Sequence, residues 1–179
     1  YEIYMGDWSS DVCSSDQRLM AAGGALGLSA VGIDAWMLLR TEKGYLHVGA
    51  DTDGTTAPDD IGWGHVLKRD GDFVGRRSLT RPENLRADRL QFVGLEPVDE
   101  SELPIGAHLR SEGPAQASEG YITSAGFSPV LKRWVALAML RAGRTRHGEM
   151  VSVITAAGTK RARVAAPGAY DPQGARLRE

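Results

Sequence analysis

The stretch Leu39-Arg40-Thr41-Glu42-Lys43-Gly44-Tyr45, followed by Asp51-Thr52-Asp53-Gly54-Thr55, packs an Arg, a Glu and two Asp between structural breaks. Two readings of these charges stand open. In one they are solvated loop charges. In the other, Arg40 points inward from a helix end and holds an anion or a polar ring, a task suited to a planar guanidinium with its donors in a fixed fork. Glu2, inside the run Tyr1-Glu2-Ile3-Tyr4, poses the same choice. Facing outward it is solvated. Buried, it needs donors, and a ligand with two adjacent N–H groups would supply them bidentately. Asp51 and Asp53 read as turn formers, because short acidic side chains next to Gly bond their own backbone. Arg76, Arg77 and Arg81 read as a solvated helix face.

Other chemistries find little support. The four His (His47, His65, His108 and His147) are scattered without paired ligand spacing, so no metal site is expected. No Gly-x-Ser-x-Gly elbow occurs. Gly62-Trp63-Gly64 begins like a dinucleotide fingerprint, but Leu67 stands where the third glycine belongs. A flavin or nicotinamide site in this region is therefore not expected. Lys and Arg number 21 against 23 Asp and Glu, a net charge of −2, which argues against a dedicated nucleic-acid binder. No apolar run approaches the ~20 residues of a membrane span. A single Cys among 179 residues fits a reducing cytoplasm.

The elements that must position these residues divide near Pro82. Before it, Tyr1 to Tyr4 reads as a strand end, and Gln17 to Ala22 as a helix remnant stopped by Gly23-Gly24. Ile33 to Thr41 reads as a short helix with Ile33, Met37 and Arg40 on one face, and Tyr45 to Val48 as a short strand. Pro58-Asp59-Asp60 suits a first helical turn, and Arg76 to Arg81 a basic helix. After it come six strand-like runs: 90–95, 107–110, 119–124, 134–140, 150–154 and 161–164, separated by Gly, Pro and Ser. This texture predicts a small barrel or sandwich, with Ala157-Gly158 marking a hairpin. The tail from Ala165 reads as extended. Charge splits at the same place, −5 over residues 1–83 and +3 over 84–179.

Asp7 to Asp16 stands apart. It shows no helical or strand period, and it reads as the translation of a common sequencing-library adapter, in the frame beginning GAC TGG AGT TCA GAC GTG TGC. On that reading residues 7–16 are an artefact, and neither Trp8 nor Cys13 carries functional weight.

Leu39 to Tyr45, Asp51-Thr52-Asp53-Gly54, Pro58 and Asp72-Phe73-Val74-Gly75-Arg76-Arg77-Ser78-Leu79 together resemble the aminomethyltransferase family. That family includes the glycine-cleavage T-protein and the α subunit of heterotetrameric sarcosine oxidase. Lys43, the Asp51 to Thr55 run, Arg77-Ser78-Leu79 with Arg81-Pro82, Tyr121 to Ser124 and Ser128-Pro129 are most similar to the α subunit. The resemblance implies an α+β chain. Residues 1–83 would be the C-terminal part of a folate-binding domain, and residues 84–179 a small six-stranded antiparallel β-barrel with its tail.

The resemblance also implies an activity. Such enzymes hold tetrahydrofolate while an amine-derived carbon unit passes to a folate nitrogen, giving 5,10-methylenetetrahydrofolate. The residues placed against the cofactor are Glu2, which would grip the pterin, and Arg40, which would line the same site. The catalytic Asp would belong to the part of the domain upstream of Tyr1, so no catalytic residue is assigned here. Any flavin or NAD would lie elsewhere in a parent protein, along with partner subunits. The expected whole is a cytoplasmic enzyme of sarcosine or methylamine demethylation. A stand-alone T-protein, or a non-catalytic folate-binding regulator, is the alternative. The isolated chain is expected to be inactive and to bind folate weakly or not at all.

Overall fold

The computed structural model describes residues 8–67, 70–113 and 117–178. Two compact units divide at Trp36/Met37. The first holds helix α1 (Trp8–Gly23), a short turn of 3-10 helix (Gly24–Leu26) and the start of α2 (Ile33–Lys43). The helix thus reaches back through the tract from Trp8 that showed no period. The reason is physical: apolar periodicity reports burial, not helicity, and the described side chains from Ser15 to Ala22 are exposed. Gly23 ends the helix as expected, its carbonyl accepting from Leu28 N. Tyr1 to Tyr4 lies outside the described residues.

The second unit is built on six antiparallel strands: β1 (Leu90–Pro97), β2 (His108–Ser111), β3 (Gly120–Ser128), β4 (Arg133–Arg141), β5 (Met150–Thr155) and β6 (Gly158–Ala165). They close as a barrel in the order β1-β4-β3-β2-β5-β6. Closure comes from the first strand pairing the last, Leu95 opposite Val164. Alternate residues point inward, as the pleat requires. Val93 and Leu95, Ala136, Ala138 and Leu140, Val151 and Val153, and Ala162 and Val164 fill one continuous core with Leu109 and Ile122. The β5–β6 hairpin pairs Thr155 with Gly158, so its two-residue turn is Ala156-Ala157, one residue earlier than the sequence suggested.

Strands β1 and β4 are buried on their outer face as well. Phe92, Leu137 and Met139 form a second cluster there, with Leu46, Ile61, Leu90 and Tyr121 packed on it. The segment from Leu46 to Ile61 therefore lies against the barrel wall. It is not regular structure. Tyr45 to Val48 makes only one isolated bridge, Val48 with Thr52, instead of the expected strand. Pro58 to Gly62 is a run of turns rather than a helix: Asp60 caps the backbone at Ala57 N (2.8 Å), but Gly62 takes a φ of +82° and ends the run there. The basic helix is a single 3-10 stretch, Arg76–Thr80.

Candidate functional site: a helix end, a pinned loop and an apolar groove

Helix α2 ends with three consecutive buried polar residues, Arg40, Thr41 and Glu42. Arg40 is 6% exposed, so its charge is turned inward rather than solvated. Its Nη1 donates to Asp51 Oδ2 (2.9 Å) and to Tyr45 O (3.0 Å), and its Nη2 donates to Ser124 Oγ on β3. Asp51 Oδ2 also accepts from His47 N at 2.7 Å. Asp51 is thus both turn former and counter-ion. The pair fixes the loop from Tyr45 to Thr52 at both ends. Two buried polar atoms are left over: Arg40 Nε and Asp51 Oδ1 have no hydrogen-bond partner among the described residues.

The held loop turns its apolar side chains to an open groove of about 470 Å³. Tyr45, Leu46, Val48, Ile61, Trp63 and Phe92 line it together with Pro167. Tyr45 and Trp63 are about half exposed there. Such concave, aromatic-lined surfaces are where flat organic ligands bind. Polar groups in the lining come from Thr52, the Tyr45 hydroxyl and the Trp63 indole N–H.

A second pin sits at the far end of the segment. Arg89 Nε donates to both carboxylate oxygens of Asp60 (3.0 Å each), and its Nη2 donates to Asp60 Oδ2 (2.7 Å) and Thr55 O (2.6 Å). Hydrogen bonding to Asp60 raises the Arg89 pKa above its ordinary value, against the opposing cost of burial. Phe92 N then donates to Asp60 O at 2.8 Å, joining the turn to β1. Among the described residues no group of His, Cys, Asp and Glu could hold a metal ion.

Of the two residues assigned to the cofactor from sequence, Arg40 bonds the carbonyl of the groove residue Tyr45 without itself lining the groove, and Glu2 lies outside the described residues. Tyr45, Trp63 and Phe92 were not singled out. Their only sequence signal is that large aromatics flank the Asp-rich turn. Ser124, Asp60 and Arg89 were missed because each pairs across a long separation in the chain, 84 residues for Arg40 with Ser124 and 29 for Asp60 with Arg89.

The closed six-stranded antiparallel barrel is a fold this chain shares with a glycine cleavage system protein. The structure matches that of the glycine cleavage system aminomethyltransferase T from Bartonella henselae with a TM-score of 0.73, at 22% identity, over 91% of this chain and 45% of that one. The family model for the glycine cleavage T-protein C-terminal barrel domain matches residues 91–171, and that for the GCVT N-terminal domain matches residues 1–71. The chain belongs to the aminomethyltransferase (glycine cleavage T-protein) family. Among its relatives, the sarcosine oxidase subunit alpha of Corynebacterium sp. (strain P-1) is 39% identical over 157 residues, 84% of this chain and 16% of the relative. That of Rhizobium meliloti is 36% identical, over 89% of this chain and 17% of the relative. The aminomethyltransferase of Pseudothermotoga lettingae is 34% identical, over 78% of this chain and 37% of the relative. The chain therefore spans under a fifth of the matched sarcosine oxidase subunits and under half of the matched aminomethyltransferases. No helix among the described residues is long and apolar enough to cross a membrane.

Proposed function

We propose that this chain is the C-terminal region of a cytoplasmic, tetrahydrofolate-dependent enzyme of the sarcosine oxidase α type, which passes an amine-derived one-carbon unit to the folate. On this reading residues 1–83 complete a folate-binding domain, residues 84–179 form the appended barrel, and other oxidase subunits are the partners. The observation that carries it is the groove: an apolar cleft framed by Tyr45, Trp63 and Phe92, with its loop locked by the buried Arg40–Asp51 pair. Its size and lining fit a flat heteroaromatic ring. When bound, tetrahydrofolate supplies the nitrogen that accepts the carbon unit. Tyr45 and Trp63 would hold the ring and shield it from water. Arg40 serves as a positioning residue, since two of its three nitrogens are engaged by Asp51, Tyr45 O and Ser124. Glu2 receives the pterin N–H groups, on the strength of the Tyr-Glu-Ile run alone. The greater identity to sarcosine oxidase subunits favours them over a stand-alone aminomethyltransferase.

Titration with tetrahydrofolate tests the reading. The isolated chain is expected to bind weakly or not at all, and tight stoichiometric binding would refute that expectation. In the longer parent, Tyr45→Ala and Trp63→Ala should each weaken folate binding roughly tenfold, as loss of an aromatic wall does. Unchanged affinity in both removes the groove from the folate site. A long sequencing read through the locus tests the rest. It should lack the codons for residues 7–16 and show dinucleotide-binding modules upstream. A half-domain alone upstream would favour a stand-alone aminomethyltransferase.

A further inference from the structure

Beyond β6 the chain leaves the barrel and crosses to the C-terminal end of α2. The two meet backbone to backbone. Gly44, at φ +69°, has no room for a side chain, since a Cβ there would fall on Gly168 N and within 2.8 Å of Pro167 C. Gly168, at φ +87°, returns the contact against Lys43 O. Tyr170 N donates to Glu42 O (2.9 Å), satisfying one of the carbonyls that a helix end leaves open. Lys43 Nζ donates to Asp171 O (2.6 Å) and pairs with Asp171 Oδ2 (3.2 Å), and it stands over the Tyr170 ring at 6.0 Å. Arg176 Nη1 donates to the Tyr170 hydroxyl at 2.6 Å from the other side. Asp171 Oδ1 accepts from Ala175 N (2.8 Å), so the tail holds its own bend.

At its start the tail packs on the barrel, the Ala166 carbonyl lying where a Cβ on Gly94 of β1 would fall. Beyond that contact a crevice of about 170 Å³, lined by Gly94, Ala165, Ala166, Gly168 and Ala169 among others, lies between the tail and strands β1 and β4. None of the residues from Ala166 to Arg176 is fully buried, and none belongs to either core cluster. Past Ala166 the tail is thus held chiefly by its bonds to the end of α2. Segments with few buried apolar contacts open locally at low cost. The same tail carries Pro167, one of the residues that line the apolar groove.

We infer that residues 166–178 form a releasable strap, buckled by Lys43 and Asp171, which clamps the end of α2 and the groove loop and sets how open the groove is. The strap undocks without opening the barrel. This does not depend on what the groove binds.

Amide hydrogen exchange on the full chain tests it, with no ligand needed, so its failure is distinct from failure of the folate reading. Two variants are compared with the parent sequence: Lys43→Met, which keeps the aliphatic stem and removes the charge, and a chain ending at Ala166. The reporters are Tyr45 N, bonded to Arg40 O, and Asp51 N, bonded to His47 O. In both variants these amides are expected to exchange roughly tenfold faster or more, while the amides of Val93 and Val153 in the barrel keep their rates. Unchanged loop exchange in Lys43→Met overturns the inference. So does acceleration of barrel and loop amides by the same factor, or failure of the chain ending at Ala166 to fold, because either makes the tail an integral part of the barrel.

Discussion

Arg40 shows how much of this site depends on one buried charge. Its partner Asp51 is equally inaccessible, at 1% exposure, so neither can fall back on water if the other is removed. Breaking a buried pair from one side typically costs about 3–5 kcal/mol, much of it from the orphaned charge. Arg40→Met and Asp51→Ala are each expected to lower unfolding free energy by that order in urea titrations. The double variant should lose clearly less than the sum, because it strands no charge. An additive double variant would mean that the two do not act as a pair. Two residues on, Asp53 behaves differently. Its Oδ1 accepts from Thr55 Oγ1 (2.7 Å), Thr55 N (2.8 Å) and Thr56 Oγ1 (3.1 Å). The Thr55 hydroxyl, then its N–H, hold the Asp53 carboxyl below the ordinary 3.8, against a small opposing effect of burial. A depressed folded pKa means that the turn's contribution is complete above 3.8 and is lost as pH falls through the folded value. The Asp53 carboxyl resonance should therefore titrate below 3.8, and Thr55→Val should bring its midpoint back toward that value. A wild-type midpoint at or above 3.8 would contradict the hydrogen-bond assignment.

Elements were legible where burial follows a simple period. β5 alternates Val151 and Val153 inward with Ser152 and Ile154 less buried, and Gly and Pro punctuate the chain on either side of most strands. That pattern is local, so it can be read without knowing the partner strand. The segment before the barrel is held instead by pairs distant in sequence, Arg40 with Ser124 and Asp60 with Arg89, which leave no local period. Tyr45 to Val48 has strand-forming residues but pairs with no strand among the described residues, and makes only the bridge from Val48 to Thr52. Arg40 could be named from its place at a helix end, whereas its counter-ion could not, because Asp51 has sufficient local reason to be a turn residue. The short strand β2 makes a sharper test of element energetics. It has four residues, and its inward Leu109 is fully buried between β3 and β5. Leu109→Ala should cost about 2–5 kcal/mol, the range for a buried leucine leaving a cavity. A loss under about 1 kcal/mol would show that the barrel collapses onto the gap, which a closed sheet resists.

At the scale of the whole molecule, closure decides what can be removed. The barrel has no free edge because β1 pairs with both β4 and β6, the latter joining Leu95 to Val164 across nearly the whole length of the barrel sequence. Strand β6 also places Ala162 and Val164 in the core. A chain ending at Ala157 would lose both side chains and expose two edges at once, on β1 and β5, each with a row of unpaired N–H and C=O groups. Such a chain should show no cooperative urea transition and should aggregate, whereas one ending at Ala166 keeps every strand and should unfold as a single transition. The nine residues between the two endpoints hold all of β6, so the contrast isolates closure from the tail that follows. A cooperative transition in the shorter chain would mean that five strands suffice and that closure adds little. The physical expectation is the reverse. Contacts between strands this far apart in sequence are the last to be gained in folding, since loop-closure entropy must be met first. They reward the chain only once the sheet meets itself, and the strand that completes it is therefore indispensable even though it comes last.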